Sequence, residues 1–187
     1  MTEHDPRGGL LLLIDPERAS LDDTSDAPVD AVIGAWLVNP DGTRGRFQPN
    51  PVYQPSSPNS PLDPVDAVLG LIAHDDTDAA ELLPAVLADM TFGVALDEQG
   101  VALVRPAPDG VPSVLVTTSY GHRGRVNAAG WRDTTLAELA AALPPQGVDV
   151  LLNPSAPTSI RLHADVVREA TERQPDQPGP HPSDSPA

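Results

Sequence analysis

Residues 148–167, VDVLLNPSAPTSIRLHADVV, decide how this chain is read. Val148, Val150, Leu151 and Leu152 make a short apolar run of the kind a buried strand needs. Asn153-Pro154 stops that run, because proline lacks an N–H and turns the residue before it away from helical backbone. Thr158–Leu162 predicts a second, shorter extended piece, and Ala164–Ala170 a small helix. Strand, proline-marked loop and helix in so short a stretch define a compact α/β unit.

Elements of the same kind extend upstream. Thr135 and Glu138 have the spacing of a capping box for a helix through Leu143, which Pro144-Pro145 terminates. Val111–Thr117 reads as a strand entered through the turn Ala107–Gly110. Thr91–Leu96 and Val101–Arg105 read as the two strands of a hairpin around Asp97–Gly100. The segment Tyr120–Trp131 is polar and glycine-punctuated. Asp63-Pro64 opens a clear helix, an acid at the N-cap followed by proline at the first helical position. Val65, Val68, Leu69 and Ile72 then form one apolar stripe. A further helix is expected behind Asp78 and Glu81. Pro84 lies too deep in it, so either the helix kinks there or it starts near Leu83.

Toward the N-terminus, Leu10–Ile14 and Ala31–Val38 read as strands. Asn39-Pro40-Asp41-Gly42 is a strong turn that returns Arg44–Phe47 as a partner strand. The acid-rich run Glu17–Asp30 predicts a solvated loop. Gln48–Pro61 holds five prolines and reads as an extended connector. The expected organisation is a disordered start over 1–9 and a strand-and-turn extension with its connector over 10–60. An α/β domain over 61–173 and a disordered proline-rich tail over 174–187 complete it. The expected fold class is α/β of the α+β type, a mixed sheet flanked by helices with an N-terminal strand-and-turn extension.

Composition narrows the function. The 187 residues carry a formal net charge of −16, which argues against nucleic acid as a partner, since phosphate binding needs clustered cations. All 11 basic residues are arginine, the mark of a GC-rich genome such as a high-GC bacterium. With no cysteine, disulfides and thiolate chemistry are excluded. Leu10–Ile14 is too short to span a bilayer, so no membrane insertion is expected and the location expected is cytoplasmic.

The arginines are unevenly spread: none falls between Phe47 and Val104, while nine Asp or Glu do. Tyr120, His122, Arg123, Arg125 and Trp131 then form a basic and aromatic island. One reading has the island facing the protein's own acidic helices or water. The other makes it a contact surface for a protein partner, since arginine with aromatics is the composition of interface hot spots. His74-Asp75-Asp76-Thr77-Asp78 resembles a cation site only loosely; helix capping explains the same residues, and no metal or cofactor is expected. Ser119 near His122, and Ser155 between prolines, lack any nucleophile motif, so no catalytic residue is assigned.

Several stretches carry a family resemblance. LLNPSAPTSIRL (151–162) resembles the strand–loop pattern near the end of SseB-like N-terminal domains, a small bacterial α/β family. LLLLIDPE (10–17), AVIGAWLVNPDGTRGRFQPNPVYQPS (31–56), SPLDPVDAVLGLIA (60–73) and APDGVPSVLVTTSYGHRGRV (107–126) resemble actinobacterial type VII secretion system-associated proteins. The resemblance implies an accessory role, adaptor or chaperone-like, whose partner is a secretion substrate or a component of the machinery. It supplies no catalytic residue. Two other functions stay open: a small-molecule enzyme with an unrecognised site, and a structural subunit whose acidic helices dock a basic partner.

Overall fold

The computed structural model describes residues 9–18, 27–73 and 78–172. Strands β1 (Gly9–Ile14), β2 (Val32–Val38) and β3 (Arg44–Pro49) form an antiparallel sheet in that order. The β2–β3 turn is built as the sequence demands: Gly42 takes φ +83° and the Asn39 carbonyl accepts its N–H at 2.9 Å. Of the acid-rich loop before β2, residues 19–26 lie outside the described residues. So do the ends 1–8 and 173–187.

The proline-rich connector has little regular structure, yet it is fastened. Asn50 donates to the carbonyls of Val29 and Val32, both at 2.7 Å, and the Tyr53 hydroxyl donates to the Pro61 carbonyl at 2.7 Å. Burial, helped by the neighbouring Asp15 carboxylate, pushes the Tyr53 phenol well above its usual range.

Helix α1 (Pro64–Ala73) begins as expected, with Asp63 Oδ1 accepting the Asp66 N–H at 2.9 Å. Behind it, Asp78–Glu81 forms a 3-10 turn and α2 (Leu83–Asp89) starts afresh with Pro84 in its first turn. The late start is therefore the one found, because a first-turn proline loses no intrahelical hydrogen bond.

Six further strands build the second sheet: β4 (Thr91–Leu96), β5 (Val104–Pro106), β6 (Pro112–Thr117), β7 (Gly130–Thr135), β8 (Asp149–Leu152) and β9 (Ile160–Leu162). The order is β7-β4-β6-β8-β9, with β5 also on β6; β6 and β8 run parallel and the other pairs antiparallel. Between them lie α3 (Tyr120–Arg123) and α4 (Leu136–Ala142), and α5 (Ala164–Glu172) ends the fold. The capping box of Thr135 and Glu138 is present at the start of α4. With five helices and a mixed sheet among the described residues, the fold is α/β, as the sequence predicts.

One expectation is corrected. The hairpin of β4 does not form over Val101–Arg105. The Asp97 turn closes, but only an isolated bridge, Leu96 with Ala102, links the two sides, and β5 pairs with β6 instead. The polar segment Tyr120–Trp131 contains α3 and leads into β7. That strand, GWRDTT, covers the β4 edge over six residue pairs.

The two faces of the second sheet differ. Phe92, Val94, Val114, Val116, Val150 and Leu152 belong to one large apolar cluster with residues of α1, α2, α4 and α5. Leu13, Ile33, Trp36 and Phe47 of the first sheet are part of that same cluster. The opposite face holds a smaller one, Ala95, Leu115 and Leu151 with Leu103 and Ala107, partly covered by Val126, Ala128 and Trp131.

Candidate functional site

Where β6 and β8 end side by side, the chain leaves the sheet twice. Such carboxyl ends of parallel strands are where open α/β sheets build crevices. After β6 comes Thr118-Ser119 and then α3, a single helical turn. One turn sets residues 120 and 123 on one side and residue 122 on the other. The consequences divide the predicted island.

Tyr120 lies 74% exposed. The Arg123 guanidinium sits 3.9 Å from its ring centroid and 5.1 Å from that of Trp131, two cation–π contacts that hold it still. Arg123 also forms an ion pair with Asp133 of β7. Arg125 is exposed and touches the Ser155 carbonyl at 3.4 Å. Tyr120, Arg123 and Trp131 thus come together, while Arg125 rests against the β8–β9 loop.

His122 does not join them, which corrects its assignment to the contact surface: its side chain is 2% exposed and turned inward. Its Nε2 lies 3.5 Å from Asp66 Oδ2 and 3.8 Å from Asp63 Oδ2, charge contacts longer than a good hydrogen bond. Neither ring nitrogen has a hydrogen-bond partner. The reading in which the island faces acidic residues of its own chain therefore describes His122 and Arg123. The contact reading keeps the exposed Tyr120 and Arg125, with Trp131 half-buried.

A buried polar network lies beneath. The Thr118 hydroxyl donates to Asp63 Oδ2 at 2.6 Å, and Asn153 Oδ1 accepts the Thr118 N–H at 2.9 Å. Asn153 is fully buried at φ +47°, a left-handed conformation that asparagine tolerates better than most residues. Thr158 donates to Asp66, whose Oδ2 also accepts the Leu62 N–H at 3.0 Å. These contacts tie the start of α1 to the ends of β6 and β8.

The two carboxylates respond in opposite directions. Burial raises Asp63, outweighing the Thr118 and Asp66 hydrogen bonds that favour its ionised form. Burial also acts on Asp66, but its contacts with His122 and Thr158 and with the Leu62 N–H prevail, and its carboxyl is held below the usual range. For Asp63 the folded state binds more protons than the unfolded one above about pH 4, so its share of stability falls as pH rises through the folded pKa. Asp66 contributes above about pH 4, and that contribution is lost as pH falls further. Asp63→Asn keeps a capping oxygen and removes the first effect. The melting temperature of the variant minus that of wild type is expected to grow from pH 4 to pH 7. A difference constant over that range would show Asp63 to be ionised throughout.

Ser119 Oγ is buried without a partner, as are both His122 nitrogens, so these two residues form no nucleophile–base hydrogen bond. Ser155, at φ +65°, sits in the β8–β9 loop with its carbonyl on Arg125. Among the described residues no group of three or more His, Asp or Glu is arranged to hold a metal. Of the His74–Asp78 cluster, residues 74–77 lie outside the described residues. No described helix is long and apolar enough to cross a membrane.

Beside Arg123 opens a pocket of about 100 Å³ lined by Thr91, Gly93, Thr117, Thr118, Ser119, Tyr120, Arg123 and Asp133. The sequence singles out only three of these, Ser119, Tyr120 and Arg123. Thr91, Gly93 and Asp133 arrive from β4 and β7, whose pairing no local motif announces. In comparisons with protein-family models, curated proteins and solved structures, nothing matches this chain.

Proposed function

We propose that this protein is a non-enzymatic accessory factor that acts by binding another protein, an adaptor or chaperone-like component of type VII secretion. The secretion setting rests on the sequence resemblance alone. The binding reading rests on one observation: an exposed tyrosine beside an arginine already fixed against two aromatic rings. Tyrosine, arginine and tryptophan dominate interface hot spots, and a side chain ordered in advance loses little entropy on association. The partner is a secretion substrate or a part of the machinery.

Affinity capture from a native lysate, wild type beside Tyr120→Ala/Arg125→Glu, tests this. Neither side chain is buried, so the variant keeps its fold. Retention of type VII components is expected to fall by about tenfold or more, the scale of losing a hot-spot residue. Equal retention by both proteins would remove this surface, and recovery of no secretion component by folded wild type would remove the secretion role.

A further inference from the structure

Arginine recognises a carboxylate best along one edge, where Nε–H and one Nη–H point the same way and match the two oxygens. In Arg123 that edge is half used. Asp133 Oδ1 takes Nη2, while Nε is buried with no acceptor. Ser119, a residue of the same pocket, likewise has a buried Oγ with no partner. Buried donors without acceptors are uncommon in folded proteins, and two at one pocket mark a place short of an acceptor.

The arginine is held ready. Its guanidinium lies against Tyr120 and Trp131, and it can rest on β4 only because residue 93 has no side chain. A Cβ on Gly93 would meet Arg123 Nη2 at 2.8 Å, Nε at 2.9 Å and Thr117 Oγ1 at 2.9 Å. Asp133, by contrast, is free to leave: its side chain is 52% exposed on an edge strand.

We infer that this pocket receives an Asp or Glu side chain of the partner protein, whose carboxylate takes the Nε–Nη2 edge of Arg123 and displaces Asp133 into water. This deepens, and rests on, the protein-binding reading above. The size fits: about 100 Å³ holds roughly three waters, enough for a carboxylate and little more. The charge fits a monoanion. Among the described residues one guanidinium is the only cationic group lining the pocket, which balances one negative charge and not two. A polypeptide is the source because Tyr120, which lines the pocket, is 74% exposed, and a small molecule filling the pocket would leave most of that ring uncovered.

The test follows the Arg123 Nε–H resonance by NMR in wild type and Asp133→Asn, and the Thr117 and Ser119 amides in both of these and in Arg123→Lys. The probes are the blocked peptide acetyl-Ala-Glu-Ala-amide, free acetate and inorganic phosphate. In wild type the peptide should shift this resonance, with the Thr117 and Ser119 amides, along a saturating curve. Asp133→Asn, which removes the competitor, should tighten binding several-fold. Arg123→Lys, which keeps the charge and loses the edge, should abolish the amide shifts while remaining folded.

No saturating shift in either wild type or Asp133→Asn overturns the proposal. Saturation by phosphate at lower concentration than by peptide overturns its carboxylate chemistry, and tighter binding of acetate than of peptide overturns its polypeptide source. A peptide response with unchanged capture by Tyr120→Ala/Arg125→Glu supports the pocket and overturns the wider contact surface. Lost capture with no peptide response does the reverse.

Discussion

Gly34→Ala is expected to destabilise the protein by about 3 kcal/mol, the upper end of what one extra carbon costs in a filled core. A Cβ at residue 34 would stand 2.2 Å from Phe47 Cζ and 2.6 Å from the Gln48 carbonyl oxygen. Neither can step aside. The Phe47 ring is buried against Trp36, centroids 4.6 Å apart, and its N–H is pinned by Asp89 Oδ2 at 2.9 Å. The Gln48 carbonyl belongs to β3, paired with β2 at Ala35. For a chain of this size the loss corresponds to a fall of about 6–12 °C in melting temperature. Gly70→Ala is the control, since it sits inside α1 and its Cβ would meet nothing within 4 Å. Replacing that glycine should raise stability by about 0.5–1 kcal/mol. Thermal melts of both variants decide the matter. A Gly34→Ala protein melting within 2 °C of wild type would mean that β3 slides without penalty.

Asn153→Ala should cost about as much, for a different reason. The side chain it removes accepts the buried Thr118 N–H, and the residue it leaves must still adopt φ +47°. A buried donor without an acceptor costs about 1–3 kcal/mol and left-handed backbone at alanine another 1–2 kcal/mol. Asn153→Gly separates the two. It loses the acceptor but not the conformational freedom, so it should melt above Asn153→Ala by the backbone share alone. Equal melting temperatures would show that the side-chain contacts account for the whole effect. Because Thr118 immediately precedes Ser119 and α3, both variants should also broaden the NMR signals of Tyr120 and Arg123.

Much of this architecture is legible from nearest neighbours. Asp63-Pro64, Thr135 with Glu138, Pro144-Pro145 and Asn39–Gly42 act on backbone a few residues away, and each produced the cap, stop or turn expected. β7 is hard to read because GWRDTT mixes strand-favouring Trp and Thr with Gly and Asp and shows no apolar alternation; β4 supplies the reason by offering an edge to pair. Likewise, the Asp97 turn is correct locally, but Val104–Pro106 finds its ladder on β6. In the candidate site, composition singled out Tyr120, Arg123 and Trp131. It placed His122 wrongly because the inward turn of that ring depends on Asp63 and Asp66, more than fifty residues earlier. The unpartnered Arg123 Nε leaves no trace in sequence at all, being a matter of what lies around it after folding.

One feature of the first sheet bears on the acidity of the whole molecule. Among the described residues β1, GLLLLI, pairs only with β2, and Leu10, Leu12 and Leu37 remain exposed. Edge strands in other proteins are commonly blunted by a lysine, a proline or an inward charge, and this one carries none of these. Its protection is colloidal instead. A net charge of −16 sets copies repelling one another as they come within a Debye length, about 10 Å at 0.1 M salt, before backbone can meet backbone. The surplus of acid thus acts at long range, as a spacer between molecules whose nearest sticky edge is made of leucine.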